Sequence, residues 1–335
     1  GSTPFDILWP RASVKPVEPD QKSKLFKSIN WAILRSDFLD PASFTIACKA
    51  GYNDDPHHGH FDCGQFTLTW YGVPFIRDLG RIRYDELYFN EERWAYPQAS
   101  SEGHNLVFVN GEQQMPAKLK DQPWKDGIGG EILDFRTSAK RDYVLMDPTH
   151  AYPGKELKKW RRNIVLEKPT VAVVVDEVSA HPGSTIAVRF FPGVTPPASR
   201  AARQGRETSR EGTQYRIGAN YVILSAQRHS LALIPLVLDN SCAIREDKLA
   251  DLPVTEDARL NWIPYLEMVT TAKSNTSIVV TLFVPVNDEK EIEAIVRTAS
   301  VVQSNDNHIE VGVETPAGKY KWSFEKEKDG LVLKD

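Results

Sequence analysis

An all-β fold, a large antiparallel β-sandwich followed by a small antiparallel β unit, is what this sequence predicts, on three observations. Short apolar or alternating runs recur from Ile29 to the end of the chain. Turn signals such as Asn110-Gly111, Lys168-Pro169 and Thr315-Pro316-Ala317-Gly318 separate them. Convincing helical periodicity is nearly absent between Ile29 and Asp239.

In chain order, residues 1–28 carry Pro4, Pro10, Pro16 and Pro19 without a clean period and read as an extended arm or linker. Residues 31–36 and 43–48 are the first strands, the second alternating apolar and polar. Residues 66–70 alternate as well, Tyr71-Gly72 is a turn, and 73–76 is the return strand. Residues 81–98, rich in Tyr, Glu and Arg, read as a long connection over the sheet edge. Beyond it come strand-like runs at 106–109, 131–136, 141–146, 160–166, 170–176, 185–191, 214–217, 221–226 and 230–238. Residues 247–261 are charged and proline-broken, which suggests a boundary. The predicted units are therefore an arm (1–28), a large sandwich (29–250) and a small β unit (251–335), the last built from runs at 262–271, 276–285, 291–302, 308–314 and 319–324.

The chain of 335 residues is long enough for that arrangement, and 41% hydrophobic with 26% charged residues is an ordinary globular balance. A net charge of −4 offers nucleic acid no global basic field. Two local basic clusters exist, Lys155, Lys158, Lys159, Arg161 and Arg162, and Arg200, Arg203, Arg206 and Arg210. A run of charge of this kind reads first as a solvated face. Three cysteines, Cys48, Cys63 and Cys242, do not make a disulfide framework, and their redox state stays open. No apolar run is long enough to span a bilayer. Gly1-Ser2 reads as a cloning remnant, so an export signal could have preceded it.

Residues 51–80 hold the chemistry. His57, His58 and His60 cluster there with Asp54, Asp55 and Asp62, and Asp78 follows the return strand. In extended backbone His58 and His60 share a face, and a two-strand hairpin delivers Asp78 back towards them. His104 sits just before the apolar run 106–109. Two imidazoles and a carboxylate converging from separate strands, His60, Asp78 and His104, are a candidate metal site. His58 is left over as a candidate acid or base. Arg77 and Arg93 suit carboxylate recognition through their planar forks, and Tyr71, Tyr84, Tyr88 and Tyr96 lie nearby in sequence. Packing is the ordinary role of most such aromatics. Cys63, beside Asp62 and without an activating partner, reads as an inert buried thiol.

Four ordered segments carry a resemblance. His58-Gly59-His60-Phe61-Asp62-Cys63-Gly64-Gln65-Phe66 resembles the central motif of the heparinase II/III-like polysaccharide lyases, and Gly72-Val73-Pro74-Phe75-Ile76-Arg77-Asp78-Leu79-Gly80 is similar to the stretch that follows it. Residues 101–111, with His104-Asn105, resemble that family's His-Asn stretch, and Ala151-Tyr152, Trp160-Arg161-Arg162 and residues 173–178 complete the order. The resemblance covers about residues 31–178. It implies the supersandwich-like β portion of an enzyme whose helical toroid lies N-terminal to it, with the active cleft between the two. His58 would be the catalytic histidine and His60, Asp78 and His104 would hold a structural zinc. Arg77, Arg93 and Tyr96 would face the substrate, an acidic, uronate-containing polysaccharide. The acid tyrosine and the groups that neutralise the substrate carboxylate would come from the toroid, which this chain lacks, so the chain alone is expected to be inactive. A periplasmic or extracellular location goes with such a substrate.

Two other readings compete. A cupin-type metal oxygenase also places His-x-His, a carboxylate and a later His around a metal, but Gln65 stands where a glutamate is expected. A non-catalytic carbohydrate-binding module would bind glycan without turnover even with a helical domain restored.

Overall fold

A computed structural model describes residues 19–53, 58–80, 88–89, 91–116, 128–193, 213–249, 263–305, 307–328 and 330–334. The all-β expectation is borne out, with 55% strand against 9% helical. The basic cluster at 200–210, His57 and Tyr84 lie outside the described residues. Among the described residues no helix is long and apolar enough to cross a membrane.

The first sheet has the order β1 (Lys24–Phe26), β2 (Trp31–Arg35), β3 (Thr45–Lys49), β5 (Gln65–Trp70), β6 (Val73–Ile76). Its strands alternate as half-buried strands should. Ala32, Leu34, Ile46, Cys48, Phe66 and Leu68 point inwards and are buried, while Trp31, Ile33, Ala47, Lys49 and Thr67 form the outer face. β1 falls within the stretch expected to be an extended arm or linker.

A nine-stranded antiparallel sheet is the centre of the molecule. Its order is β13 (Gln214–Ile217), β14 (Val222–Ala226), β15 (His229–Val237), β18 (Thr276–Val286), β11 (Val171–Ser179), β10 (Lys159–Glu167), β9 (Arg141–Asp147), β8 (Gly129–Thr137), β4 (Gly51–Tyr52). One face packs on the first sheet and on a four-stranded sheet, β16 (Ala243–Lys248), β17 (Pro264–Thr271), β12 (Thr185–Phe190), β7 (Val107–Val109). The other face packs on the C-terminal sheet, β19 (Ser300–Asn305), β20 (His308–Thr315), β21 (Gly318–Glu327), β22 (Gly330–Lys334), and on one helix, α1 (Glu289–Thr298). Burial on both faces is why β11 is a near-continuous apolar run: Val171 to Val175 are all buried, alternate residues entering opposite cores.

Three expectations are corrected here. The runs at 262–271 and 276–285 are β17 and β18, and they pair inside the large sheets, β18 between β15 and β11. The small C-terminal sheet starts only at Ser300. Proline and charge signal a break in the chain but not which sheet it rejoins. The stretch 291–302, expected as strand, is mostly α1. Asp288 caps it, accepting from the Glu291 N–H at 2.9 Å, while Glu291 reaches back past the cap to accept from the Asn287 N–H at 3.0 Å, over buried Ile292 and Ile295. Asn110-Gly111, a dipeptide that signals a β-hairpin after the run 106–109, does turn with positive φ at both residues, but β7 pairs with β12 and no hairpin forms there. The turn at Thr315-Pro316-Ala317-Gly318 joins β20 to β21 as expected.

Candidate metal and catalytic centre

Three chain segments meet at one edge of the first sheet: the residues entering β5, those leaving β6 and those entering β7. They bring His58 to Gln65, Arg77 to Gly80 and His104-Asn105 together. Asn105, fully buried, fastens them. Its amide donates to the Phe66 and Arg77 carbonyls at 2.8 Å each, and its oxygen accepts from the Phe191 N–H at 2.8 Å. Arg162 holds the same region from beneath, donating to the Gly64 carbonyl at 2.9 Å and the Asn105 carbonyl at 2.7 Å while forking onto Asp176. Gly64 has φ 94° and lies against the Trp160 ring, where a Cβ would come within 2.6 Å. Only glycine fits that position.

His104 is completely buried. Its Nδ1 contacts Asp78 Oδ2 at 2.7 Å, and its Nε2 is buried without a hydrogen-bond partner. Burial pulls its pKa down, but the charge and hydrogen bond of Asp78 outweigh that and the net direction is up. Asp78, despite burial, is pushed well below the usual carboxylate range by His104 and by the Gly80 N–H on its other oxygen at 2.7 Å. His60 lies 5.4 Å from His104 ring to ring. Burial first, and His104 second, lower its pKa to about 4, so it is a neutral imidazole at pH 7 with a lone pair to give. Its Nε2 is 3.2 Å from the Tyr88 hydroxyl.

The ligand atoms of His60, Asp62 and His104 lie within 4.8 Å of one another, a cluster that could hold a metal ion. An orphaned buried imidazole nitrogen, a neutral histidine and nearby carboxylates fit a divalent cation of the zinc type. Asp62 was not among the expected ligands. It is bonded to Lys49 at 2.6 Å and to the Gln65 amide at 3.3 Å. Asp78 has no lysine or arginine ion pair among the described residues; His104 and the Gly80 N–H hold its two oxygens.

His58 is exposed, edge-on to Phe89 at 6.3 Å. The backbone between it and His60 is clamped. The Gly59 carbonyl accepts from Arg93 Nη2, and the Arg93 guanidinium sits 5.1 Å from the Tyr88 ring and 4.5 Å from the Trp94 ring. Trp94 in turn stacks on Phe61 at 3.8 Å. Arg93 is 2% exposed and Tyr96 1%, so the structure buries two of the three residues that the sequence gave to substrate. Arg77, by contrast, is half-buried, and its Nε has no hydrogen-bond partner. Cys63 is buried, its thiol pKa raised chiefly by desolvation. Arg161 and Arg162, expected on a solvated basic face, are 9% and 0% exposed and paired to Asp147 and Asp176. A charge run interrupted by Trp160 in a strand was the available sign that alternate residues turn inwards.

A cavity of about 820 Å³ opens beside this centre, and His58, His60, Asp62, Gln65, Lys49 and Trp31 are among its lining. Comparison with known proteins gives this geometry a context. The family model described as heparinase II/III-like, C-terminal, matches residues 18–292. Among solved structures, a heparinase III is similar at 18% identity and a TM-score of 0.67, over 96% of this chain and 47% of that one. A heparan sulfate lyase from Pedobacter heparinus is similar at 14% identity and a TM-score of 0.64, over 98% of this chain and 46% of that one. The chain thus spans about half the length of the solved structures it matches. No match is found among curated proteins.

Proposed function

We propose, from the fact that this chain belongs to the heparinase II/III-like, C-terminal family, that it is the β portion of a polysaccharide lyase acting on uronate-containing polymer by β-elimination. The observation that supports it most is the contrast between His58 and His60. His58 is exposed on the wall of a cavity, while His60, two residues further on, is half-buried in a cluster that could hold a cation.

The reaction needs three things of the protein. The carboxylate beside the C5–H bond must be neutralised so that negative charge can build there. A base must take the C5 proton as its electron pair forms the C4–C5 double bond, and an acid must protonate O4 as the C4–O4 bond breaks. His58 is the residue of this chain assigned to proton transfer. Arg77, half-buried and without a carboxylate fork of its own, is assigned to the substrate carboxylate. Arg93 and Tyr96 are not substrate contacts in this reading; Arg93 positions the His58–His60 backbone. The remaining acid and neutralising groups are assigned to a helical portion of the parent protein, so this chain alone should not turn over polymer. Such substrates belong to a periplasmic or extracellular setting.

The metal is proposed to be one zinc ion, held by His60, His104 and Asp78. Its role is structural: it would join the segment entering β5 to those flanking β6 and β7, and so set the position of His58. Charge favours Asp78 over Asp62 as the carboxylate ligand, because Asp62 already has Lys49. The 4.8 Å grouping favours a second arrangement, in which Asp62 ligates and Asp78 orients His104 through Nδ1. Zinc content per chain decides between them. Asp78→Ala abolishes binding in the first arrangement and only weakens it, about 10–100-fold, in the second. The lyase reading is tested by screening the parent protein on a panel of uronate polymers for the ultraviolet absorbance of unsaturated products. No absorbance on any of them, with glycan still bound, returns the protein to a binding module.

A further inference from the structure

The outer face of the first sheet carries an arrangement that reaches beyond the proton-transfer centre. Strand register places Phe26, Trp31, Lys49 and Gln65 opposite one another in a single row across β1, β2, β3 and β5. Residues paired this way share a face. Trp31 is 46% exposed and Phe26 39%, and Tyr52 beside them is 56% exposed. A single exposed aromatic needs no explanation, but three along one cavity wall form a patch. The next row holds Ile33, Ala47 and Thr67, whose small central side chains leave the floor low. The same cavity, about 820 Å³, runs on to His58 and His60.

Charge accompanies the aromatics. Lys49 Nζ lies 5.6 Å from the Trp31 ring and Lys24 Nζ 5.8 Å from the Phe26 ring. Lys49 is balanced by Asp62, so the surplus positive charge comes from Lys24 and from Lys27, neither of which has an ion pair among the described residues.

We propose that this face is a binding platform for an anionic oligosaccharide, with Trp31 as the stacking surface and Lys24 and Lys27 as the charges that meet its carboxylate or sulfate groups. A pyranose ring presents an apolar C–H face to stack on a flat indole and polar groups at its edge, which suits an aromatic set between lysines. Trp31 stands two strands from Gln65, about 10 Å at the usual strand spacing, roughly the length of a disaccharide. A chain lying across the row would therefore place its far sugars on Trp31 while a nearer linkage sits at His58. The interleaving of aromatics with Lys49, Gln65 and Thr67 fits a glycan better than an apolar protein surface. The direction of the chain towards His58 rests on the lyase reading; the platform itself does not.

The test is calorimetric titration of this chain with a heparan-sulfate hexasaccharide, beside neutral cellohexaose. Saturable binding of the anionic sugar only is expected, weakened about tenfold or more by Trp31→Ala, largely kept by Trp31→Phe, and made less salt-sensitive by Lys24→Gln with Lys27→Gln. Absence of saturable binding, equal binding of cellohexaose, or unchanged affinity in a folded Trp31→Ala variant overturns the proposal. So does a parent protein in which Trp31→Ala lowers the melting temperature but leaves KM alone, since the face would then be an internal contact. Trp31-dependent binding by a parent protein without lyase activity would sink the lyase reading and leave the platform standing. An active lyase whose KM and product lengths ignore Trp31→Ala would do the reverse.

Discussion

Replacing Arg162 by Met should be among the most damaging single changes in this chain, and the damage should reach the candidate metal cluster. The guanidinium is fully buried and forks onto Asp176, Nε to Oδ1 at 2.8 Å and Nη2 to Oδ2 at 3.1 Å. Its third nitrogen serves the Gly64 and Asn105 carbonyls. Removing one partner of a buried pair strands the other charge, at a cost of about 3–5 kcal/mol. Each orphaned carbonyl adds about 1–3 kcal/mol. A loss of at least about 5 kcal/mol is a large part of the roughly 5–15 kcal/mol that holds a domain together. Changing Asp176 to Leu as well removes the stranded charge but leaves both carbonyls and the Trp160 Nε1–H, which donates to Asp176 at 2.7 Å, without partners. The double variant should therefore be more stable than Arg162→Met by about 2 kcal/mol or more, yet below wild type. Urea unfolding followed by tryptophan emission measures all three. If Arg162→Met proves too unstable to purify, Arg162→Lys keeps the charge and loses the fork, and should be intermediate. A cost below about 1 kcal/mol for Arg162→Met, or a double variant no better than the single, would refute the reasoning.

Arg93→Met should leave the fold cooperative but weaken zinc binding about 10–100-fold, read by chelator competition, because the Gly59 carbonyl loses the donor that fixes the His58–His60 backbone. In the native chain one thiol, the half-buried Cys242, should react with a thiol reagent, and slowly at neutral pH because burial pushes its pKa up to about 11. Cys48, its pKa pushed up to about 12 by burial, and Cys63 should react only after unfolding. Asp288→Ala should cost about 1 kcal/mol through loss of the α1 cap, seen as a lower melting temperature, with zinc content unchanged.

Much of this centre was legible in the sequence because its residues sit at strand ends. Alternation set Phe66 and Leu68 inwards, and the Tyr71-Gly72 turn returned Asp78 towards His104. What local pattern could not show was who is buried by whom. Arg93 and Tyr96 are expected from the sequence to face substrate, yet Tyr96 is buried and the aromatic set of Tyr88, Trp94 and Phe61 closes over Arg93. Asp62 stands with the histidines in sequence, but its approach to His60 and His104, and its bond to Lys49 on the neighbouring strand β3, are contacts that only the fold shows. The long reach of β18 into the central sheet was equally invisible: its apolar run fits either unit, and only pairing with β11 and β15 decides. Likewise α1 was hidden by β-branched Ile292 and Ile295, which suit a strand as well as an amphipathic helix.

The central claim, that His58 performs proton transfer while its near neighbour belongs to a metal cluster, is tested most directly in the parent protein. The measurement is the initial rate of unsaturated-product absorbance on its uronate polymer, with zinc content and circular dichroism recorded on the same samples. His58→Ala should lower that rate by about 100-fold or more with zinc and fold unchanged, and His57→Ala should change it little. An unchanged rate in His58→Ala, at full zinc and with a native spectrum, would contradict the account.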